Sequence, residues 1–155
     1  MSKKQVNYWL FQSNPKVFRL REALAAEDLQ TFSVKAHKKK IKEGDKIILW
    51  QTGKQTGCYG LATVKNAPVV QPIPSIETPY FLQLPKEGLR IQLSIDYNLW
   101  NKPITKEILP DVPDFEPFYA GNSGTNFKAT KTQYESLVSV IERLEAAEEL
   151  SLIHI

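Results

Sequence analysis

Glu43-Gly44-Asp45-Lys46-Ile47-Ile48-Leu49-Trp50-Gln51-Thr52-Gly53-Lys54-Gln55-Thr56-Gly57-Cys58-Tyr59-Gly60-Leu61-Ala62-Thr63-Val64 is the stretch on which the fold turns. Glu43-Gly44-Asp45 reads as a tight turn. The apolar run Ile47–Trp50 after it is short and bounded by polar residues, which suits a buried strand. Gln51–Gly57 has the glycines and polar side chains of a hairpin-type connection, and Cys58–Val64 is its return strand.

Upstream, Asn7–Phe11 looks like an aromatic-rich first strand, broken by Gln12-Ser13-Asn14-Pro15, since Asn-Pro favours turn initiation. Val17, Leu20 and Leu24 recur at helical spacing, and Thr31–Val34 reads as a strand. Downstream, Pro68, Pro72, Pro74 and Pro79 mark an irregular crossing segment or edge structure. Leu89, Ile91, Leu93, Ile95, Tyr97 and Leu99 alternate with more polar residues, the clearest period-two strand in the chain. A loop-rich region, Pro103–Pro117, follows. Thr130-Lys131-Thr132-Gln133 is a capping-box sequence, and Tyr134, Leu137, Val138, Ile141 and Leu144 continue at helical spacing. Strand, helix, several strands and a final helix indicate an α+β fold, a strongly curved sheet or small barrel with helices packed outside. Residues 1–150 read as a single domain, the N-terminal part of a longer protein. The acidic stretch 145–155 reads as the end of its helix or the start of a linker.

At 155 residues the chain is long enough for one domain with a genuine core. Its single cysteine, Cys58, excludes an internal disulfide, and two histidines leave a four-ligand zinc site without enough donors. The apolar segment Tyr8–Phe11 is too short for the core of a signal peptide, and no run has membrane length. A cytoplasmic location with no membrane partner is expected. No Walker-type loop, histidine-rich nuclease motif or Ser/His/Asp or Cys/His constellation stands out. Asp45, Asp96 and Asp111 are the available acids or bases for an enzyme acting on nucleotides. The reading is a binding module, not an enzyme, with no cofactor.

Charge supplies the functional lead. Lys35 to Lys46 contains six lysines against two carboxylates, a local +4 in a chain whose net charge is +3. Residues 131–155 carry a net −3, so the basic surface belongs to the body of the domain. Lysine neutralises phosphate and releases bound counterions without reading base sequence. An aromatic face nearby offers a platform for an unstacked base. A lysine run is equally a solvated face, and Phe32 and Trp50, taken singly, are more often core residues than parts of a binding site.

Several segments together resemble the EVE domain, a member of the PUA-like superfamily that includes the YTH readers of methylated adenine. Tyr8–Pro15 resembles the family's first strand and polar turn, Ile41–Trp50 its Gly-Asp turn and next strand, and Thr56–Val64 its glycine-containing strand. Gly124-Thr125-Asn126-Phe127 is similar to a pattern in EVE domains fused to methylcytosine-restriction GTPases and nucleases. The resemblance implies a pseudo-barrel of five to six strands with flanking helices and an aromatic pocket for one nucleobase, flipped from a duplex or taken from a single strand.

Carried over by position, Ser13 and Asn14 match the Ser-Asn pair of YTH readers that meets the base edge. Phe32-Ser33 matches their Trp-Ser pair, with phenylalanine in place of the tryptophan wall. Trp50 is expected as the second wall, and Asn122 and Ser123 at the pocket mouth. Lys35, His37, Lys38, Lys39 and Lys40 are expected on phosphate. The implied function is recognition of a modified cytosine or adenine, in DNA ahead of RNA, on behalf of a fused or associated nuclease or GTPase/ATPase. An RNA modified-base module, a nucleotide-acting enzyme and a protein-interaction domain are the alternatives. The last predicts a pocket filled by the protein's own side chains.

Overall fold

The computed structural model describes residues 5–105, 107–108 and 124–153. Their elements run β1 (Tyr8–Ser13), α1 (Leu20–Ala25), β2 (Thr31–Ser33), β3 (Lys46–Gln51), β4 (Gly57–Val64) and β5 (Val69–Gln71). A 3-10 turn (Thr78–Tyr80), β6 (Gly88–Asn98), β7 (Ile104–Thr105), β8 (Asn126–Ala129) and α2 (Lys131–Ile153) follow. The sheet is ordered β2-β6-β4-β3-β1-β8, with β5 added on β6 and β7 on β4. This is the α+β architecture expected from the sequence, a curved mixed sheet with flanking helices. The six-strand path corresponds to the expected five to six strands, and the short β5 and β7 extend it.

β1 and β3 pair in parallel, Trp9 opposite Ile47 and Phe11 opposite Leu49. A parallel pair requires a long crossover, and α1, β2 and the lysine-rich turn supply it. β3 and β4 form the expected antiparallel hairpin. The turn before β3 depends on Gly44, whose φ of +90° is unfavourable for a residue with a Cβ. Asp45, 2 % exposed, closes that turn. Its carboxylate accepts from the backbone N–H of Lys42 and Asn7 and from the Trp9 indole at 2.9, 3.1 and 2.9 Å.

The sheet buries both faces. On one, Trp9, Phe11, Ile47 and Leu49 pack with Leu20 and Leu24 of α1 and with Phe32 and Ile91. On the other, Leu10, Ile48, Trp50, Cys58 and Leu61 pack under Tyr134, Leu137, Val140 and Ile141 of α2. Alternation assigns the faces: Ile47 and Leu49 point one way, Ile48 and Trp50 the other. α2 begins with the expected capping box. Thr130 N–H donates to Gln133 Oε1 at 2.9 Å and Gln133 N–H to Thr130 Oγ1 at 3.0 Å. Among the described residues, no helix is long and apolar enough to cross a membrane.

One expectation needs correction. Trp50 is 1 % exposed and sits in the layer beneath α2, so it cannot form a wall of a solvent-open site on the opposite face. Trp100 is 39 % exposed. Trp9 is buried.

Candidate nucleic-acid interface

A cavity of about 470 Å³ opens on the α1 side of the sheet, at the C-terminal end of β1. Ser13 and Asn14, Phe32 and Ser33, and Lys35 all line it. These residues lie far apart in sequence, and the β1 turn and β2 bring them together. The cavity is open, so the protein's own side chains do not fill it as an interaction domain of the expected kind would require.

Each of these side chains has a local reason for its place. Asn14 accepts the Lys16 N–H on Oδ1 at 2.9 Å, and its carbonyl accepts from Val17 and Phe18. This turn stabilises itself, as asparagine commonly does. Ser13 is 6 % exposed, and its carbonyl accepts the Thr52 N–H at 3.0 Å. Its hydroxyl has no hydrogen-bond partner among the described residues, which leaves it available at the cavity wall. Phe32 packs on Phe11 with ring centroids 5.3 Å apart and presents the remainder of its ring to the cavity.

Phe18 and Phe81 supply the aromatic wall missing from the sequence reading. Their rings pack at 4.5 Å, and both line the cavity. Phe81 reaches this position because the chain after the 3-10 turn runs beside residues 17–19. Leu82 N–H donates to Val17 C=O and Arg19 N–H to Tyr80 C=O, both at 2.8 Å. The only signal was Tyr80-Phe81, an aromatic pair at the edge of a proline-rich stretch that otherwise looks irregular.

Sequence reasoning also missed the floor. Arg90 of β6 lines the cavity at 6 % exposure. Its Nε donates to Thr31 Oγ1 at 3.0 Å, and its Nη2 lies 3.6 Å from Glu77 Oε1. Glu77, with no exposed surface, accepts from Thr31 Oγ1 and from the backbone N–H of Gln30 and Thr31 at 2.6–2.7 Å. Burial lowers the guanidinium's pKa while Glu77 opposes the shift.

The mouth is bounded by Gly124 and Thr125. Gly124 has φ +147°, and a Cβ there would lie 2.8 Å from the Phe127 ring, so glycine suits this close approach. Asn122 and Ser123, expected beside them, lie outside the described residues.

The lysine-rich segment is a fixed turn. Asn126 of β8, 4 % exposed, accepts Lys35 N–H at 2.7 Å and Ala36 N–H at 3.2 Å, and donates to Ser33 C=O at 3.1 Å. His37 adopts φ +59°, a left-handed conformation in which histidine is enriched. Its carbonyl accepts from Lys40 and Ile41, and its ring lies 5.1 Å from that of Trp9. Burial, then Lys128 and Lys40, lower its pKa. Lys35, Lys38, Lys39, Lys40 and Lys42 make no ion pair among the described residues.

Lys39, Lys40, Lys42 and Lys128 surround a second cavity of about 310 Å³ beside Tyr8 and Trp9. Both cavities follow the β1–β8 pair, one near Ser13 and Thr125, the other near Trp9 and Lys128. Trp9 and Ser13 stand four residue steps apart along the strand, roughly 13 Å at strand rise. Lys38 is exposed and lines neither cavity.

The acids and thiol considered for an enzyme are differently employed. Asp45 is a buried backbone acceptor, and Asp96 accepts from Thr63 and lies 3.9 Å from Lys46. Asp111 lies outside the described residues. The Cys58 thiol is fully buried and its pKa is pushed up to about 12 by desolvation, opposite to a reactive thiolate.

Among solved structures, a hypothetical protein from Leishmania major has 14% identity and a TM-score of 0.61, with 91% of this chain and 98% of that one covered. A Pseudomonas putida protein has 16% identity and a TM-score of 0.57, with 85% and 97% covered. Human THYN1 in complex with 5-methylcytosine containing DNA has 14% identity and a TM-score of 0.58, with 86% and 96% covered. At these identities the likeness is one of fold. No curated protein matches the chain. The sequence model of the EVE domain matches residues 7–140, and the chain belongs to the EVE domain family.

Proposed function

We propose that this chain is a nucleic-acid-binding module that takes one modified base, in DNA ahead of RNA, into the cavity of about 470 Å³. The observation that carries the reading is the junction of that cavity with the lysine turn. Phe32, Phe18 and Phe81 give apolar walls, Ser13, Ser33 and Asn14 give polar groups, and Lys35 stands at the edge. The complex of human THYN1 with 5-methylcytosine containing DNA supports the ligand class through a similar fold.

The energetics favour this division of labour. Stacking contributes roughly 1–3 kcal/mol per base, and eversion from a duplex costs a few kcal/mol, so the aromatic walls alone about break even. Phosphate contacts by Lys35, His37, Lys38, Lys39 and Lys40 supply the remaining affinity, with a corresponding loss at raised salt. The module would direct a fused or associated nuclease or GTPase/ATPase to modified DNA.

Titration with matched oligonucleotides, unmodified or carrying one modified base, is the test. Preference for a modified base, reduced by Phe81→Ala, is the expected result. Equal weak binding to every oligonucleotide would leave a generic basic surface and defeat the proposal.

A further inference from the structure

We propose that Arg90 determines which base the cavity accepts, by donating to a paired carbonyl oxygen and ring nitrogen such as O2 and N3 of a cytosine. This rests on the reading of the cavity as a base-binding site.

Arginine has five N–H donors and no acceptor. Nε is used by Thr31, and Nη2 faces Glu77. Nη1 has no hydrogen-bond partner among the described residues. A buried ion pair is no better for stability than apolar residues of similar volume. A guanidinium with N–H groups to spare, lining an open cavity, is therefore poorly explained by packing alone. Its orientation is fixed twice over, by the Glu77–Thr31 pair and by a backbone paired with Ser33 on one side and Val69 on the other. A donor held in place before the ligand arrives loses little freedom on binding.

A donor-only group sorts the bases. Cytosine carries O2 and N3 side by side as acceptors, with its amino group at the far end. Adenine has no carbonyl: beside N1 stand the amino group and C2–H, and beside N7 the amino group and C8–H, so a fork of two donors finds only one acceptor on either edge. Thymine places an N–H between its two carbonyls. Guanine offers O6 and N7, the pair that arginine reads in duplex DNA. The pyrimidine leaves more of the cavity for a substituent at C5, so the structure assigns the site to bases with this acceptor pair, cytosine ahead of guanine, with adenine and N6-methyladenine disfavoured. Thr31 and Glu77 act as positioning residues for the guanidinium.

Single-stranded oligonucleotides remove the cost of eversion from the test. Each carries one 5-methylcytosine, N6-methyladenine, abasic site, or 2-aminopyridine nucleoside, which keeps an amino group and ring nitrogen but lacks the carbonyl. The intact protein should bind the 5-methylcytosine strand about 5- to 150-fold more tightly than the N6-methyladenine strand, the range of one bidentate contact. The carbonyl-free analogue should lose about tenfold or more, and Arg90→Lys should abolish the difference while leaving abasic-strand affinity unchanged. The ligand substitutions decide the matter even if Arg90→Lys does not fold.

Adenine preference, or undiminished binding of the carbonyl-free analogue, would overturn the role of Arg90 and leave the base-binding reading intact. Equal loss by Arg90→Lys on the abasic and cytosine strands would make Arg90 a phosphate contact instead and overturn it as well. Indifference of the intact protein to base and abasic site alike would remove the base-binding reading itself.

Discussion

Replacing Asn126 with alanine should loosen both halves of the candidate site at once. Its buried amide holds Lys35 N–H and Ala36 N–H on Oδ1 and donates to Ser33 C=O, so one side chain ties β8 to the end of β2 and the start of the lysine turn. Truncation removes three hydrogen bonds, each worth about 1 kcal/mol net, so a loss near 3 kcal/mol is expected if the freed groups find no water. Asn126→Asp is the informative companion. A carboxylate still accepts from both N–H groups but offers no donor to Ser33, and it places an oxygen against that carbonyl. It should cost less than alanine, about 1–2 kcal/mol. Urea denaturation at unchanged m-value measures both. Alanine should also weaken oligonucleotide binding, because the Lys35 backbone is no longer fixed beside the cavity. A loss below about 0.5 kcal/mol, or aspartate costing more than alanine, would refute the reasoning.

Trp50→Ala should cost about 3–5 kcal/mol in denaturant unfolding, as for a buried aromatic, while protein still folded at low temperature keeps its base preference. Loss of preference at wild-type stability would place Trp50 in the site after all. A Lys38/Lys39/Lys40 triple alanine variant should bind every oligonucleotide more weakly by a similar factor. Its slope of log affinity against log salt should be shallower by about 2–3; a loss confined to modified strands would contradict phosphate contact. The depressed pKa of His37 means the unfolded chain takes up its proton first. This histidine's contribution to stability is therefore fully present above the ordinary imidazole pKa and is lost as pH falls through the depressed folded value. Phosphate of a bound oligonucleotide beside His37 would favour the imidazolium, so affinity should rise as pH falls from 7.5 toward 5.5, by about the same factor for modified and unmodified strands. His37→Ala should flatten that profile, and an unchanged profile would detach His37 from the phosphates.

The pattern of residues legible in the sequence follows from what alternation can and cannot encode. Ile47–Trp50, Cys58–Val64 and Leu89–Leu99 were readable as strands because their composition and flanking turns admit little else. Thr130–Gln133 announced α2 because a capping box is entirely local. The cavity's first wall was readable through family position, at Ser13, Asn14, Phe32 and Ser33. Its second wall was not. Period two shows that Leu49 and Trp50 face opposite ways, but not which way the cavity lies, and choosing the larger ring selected the face beneath α2.

Register irregularities at Leu49/Trp50 and Leu61/Ala62 add a second uncertainty. On β6, Ile91 and Tyr97 share sequence parity yet pack in different layers, because Asp96 is an extra residue between the partners of Ala62 and Leu61. A bulge of this kind re-aims every following side chain and leaves no mark in composition. Arg90 was concealed for a related reason. It occupies a nominally polar position of a half-buried strand, where charge normally signals solvent, and its partner Glu77 lies in the proline-rich segment that reads only as an irregular crossing or edge structure. That segment contributes both Glu77 and Phe81 to the cavity, one beneath its floor and one in its wall. Shortening it should therefore disturb base discrimination before it disturbs the sheet, whose main pairings run through β1, β3, β4 and β6 and do not use it.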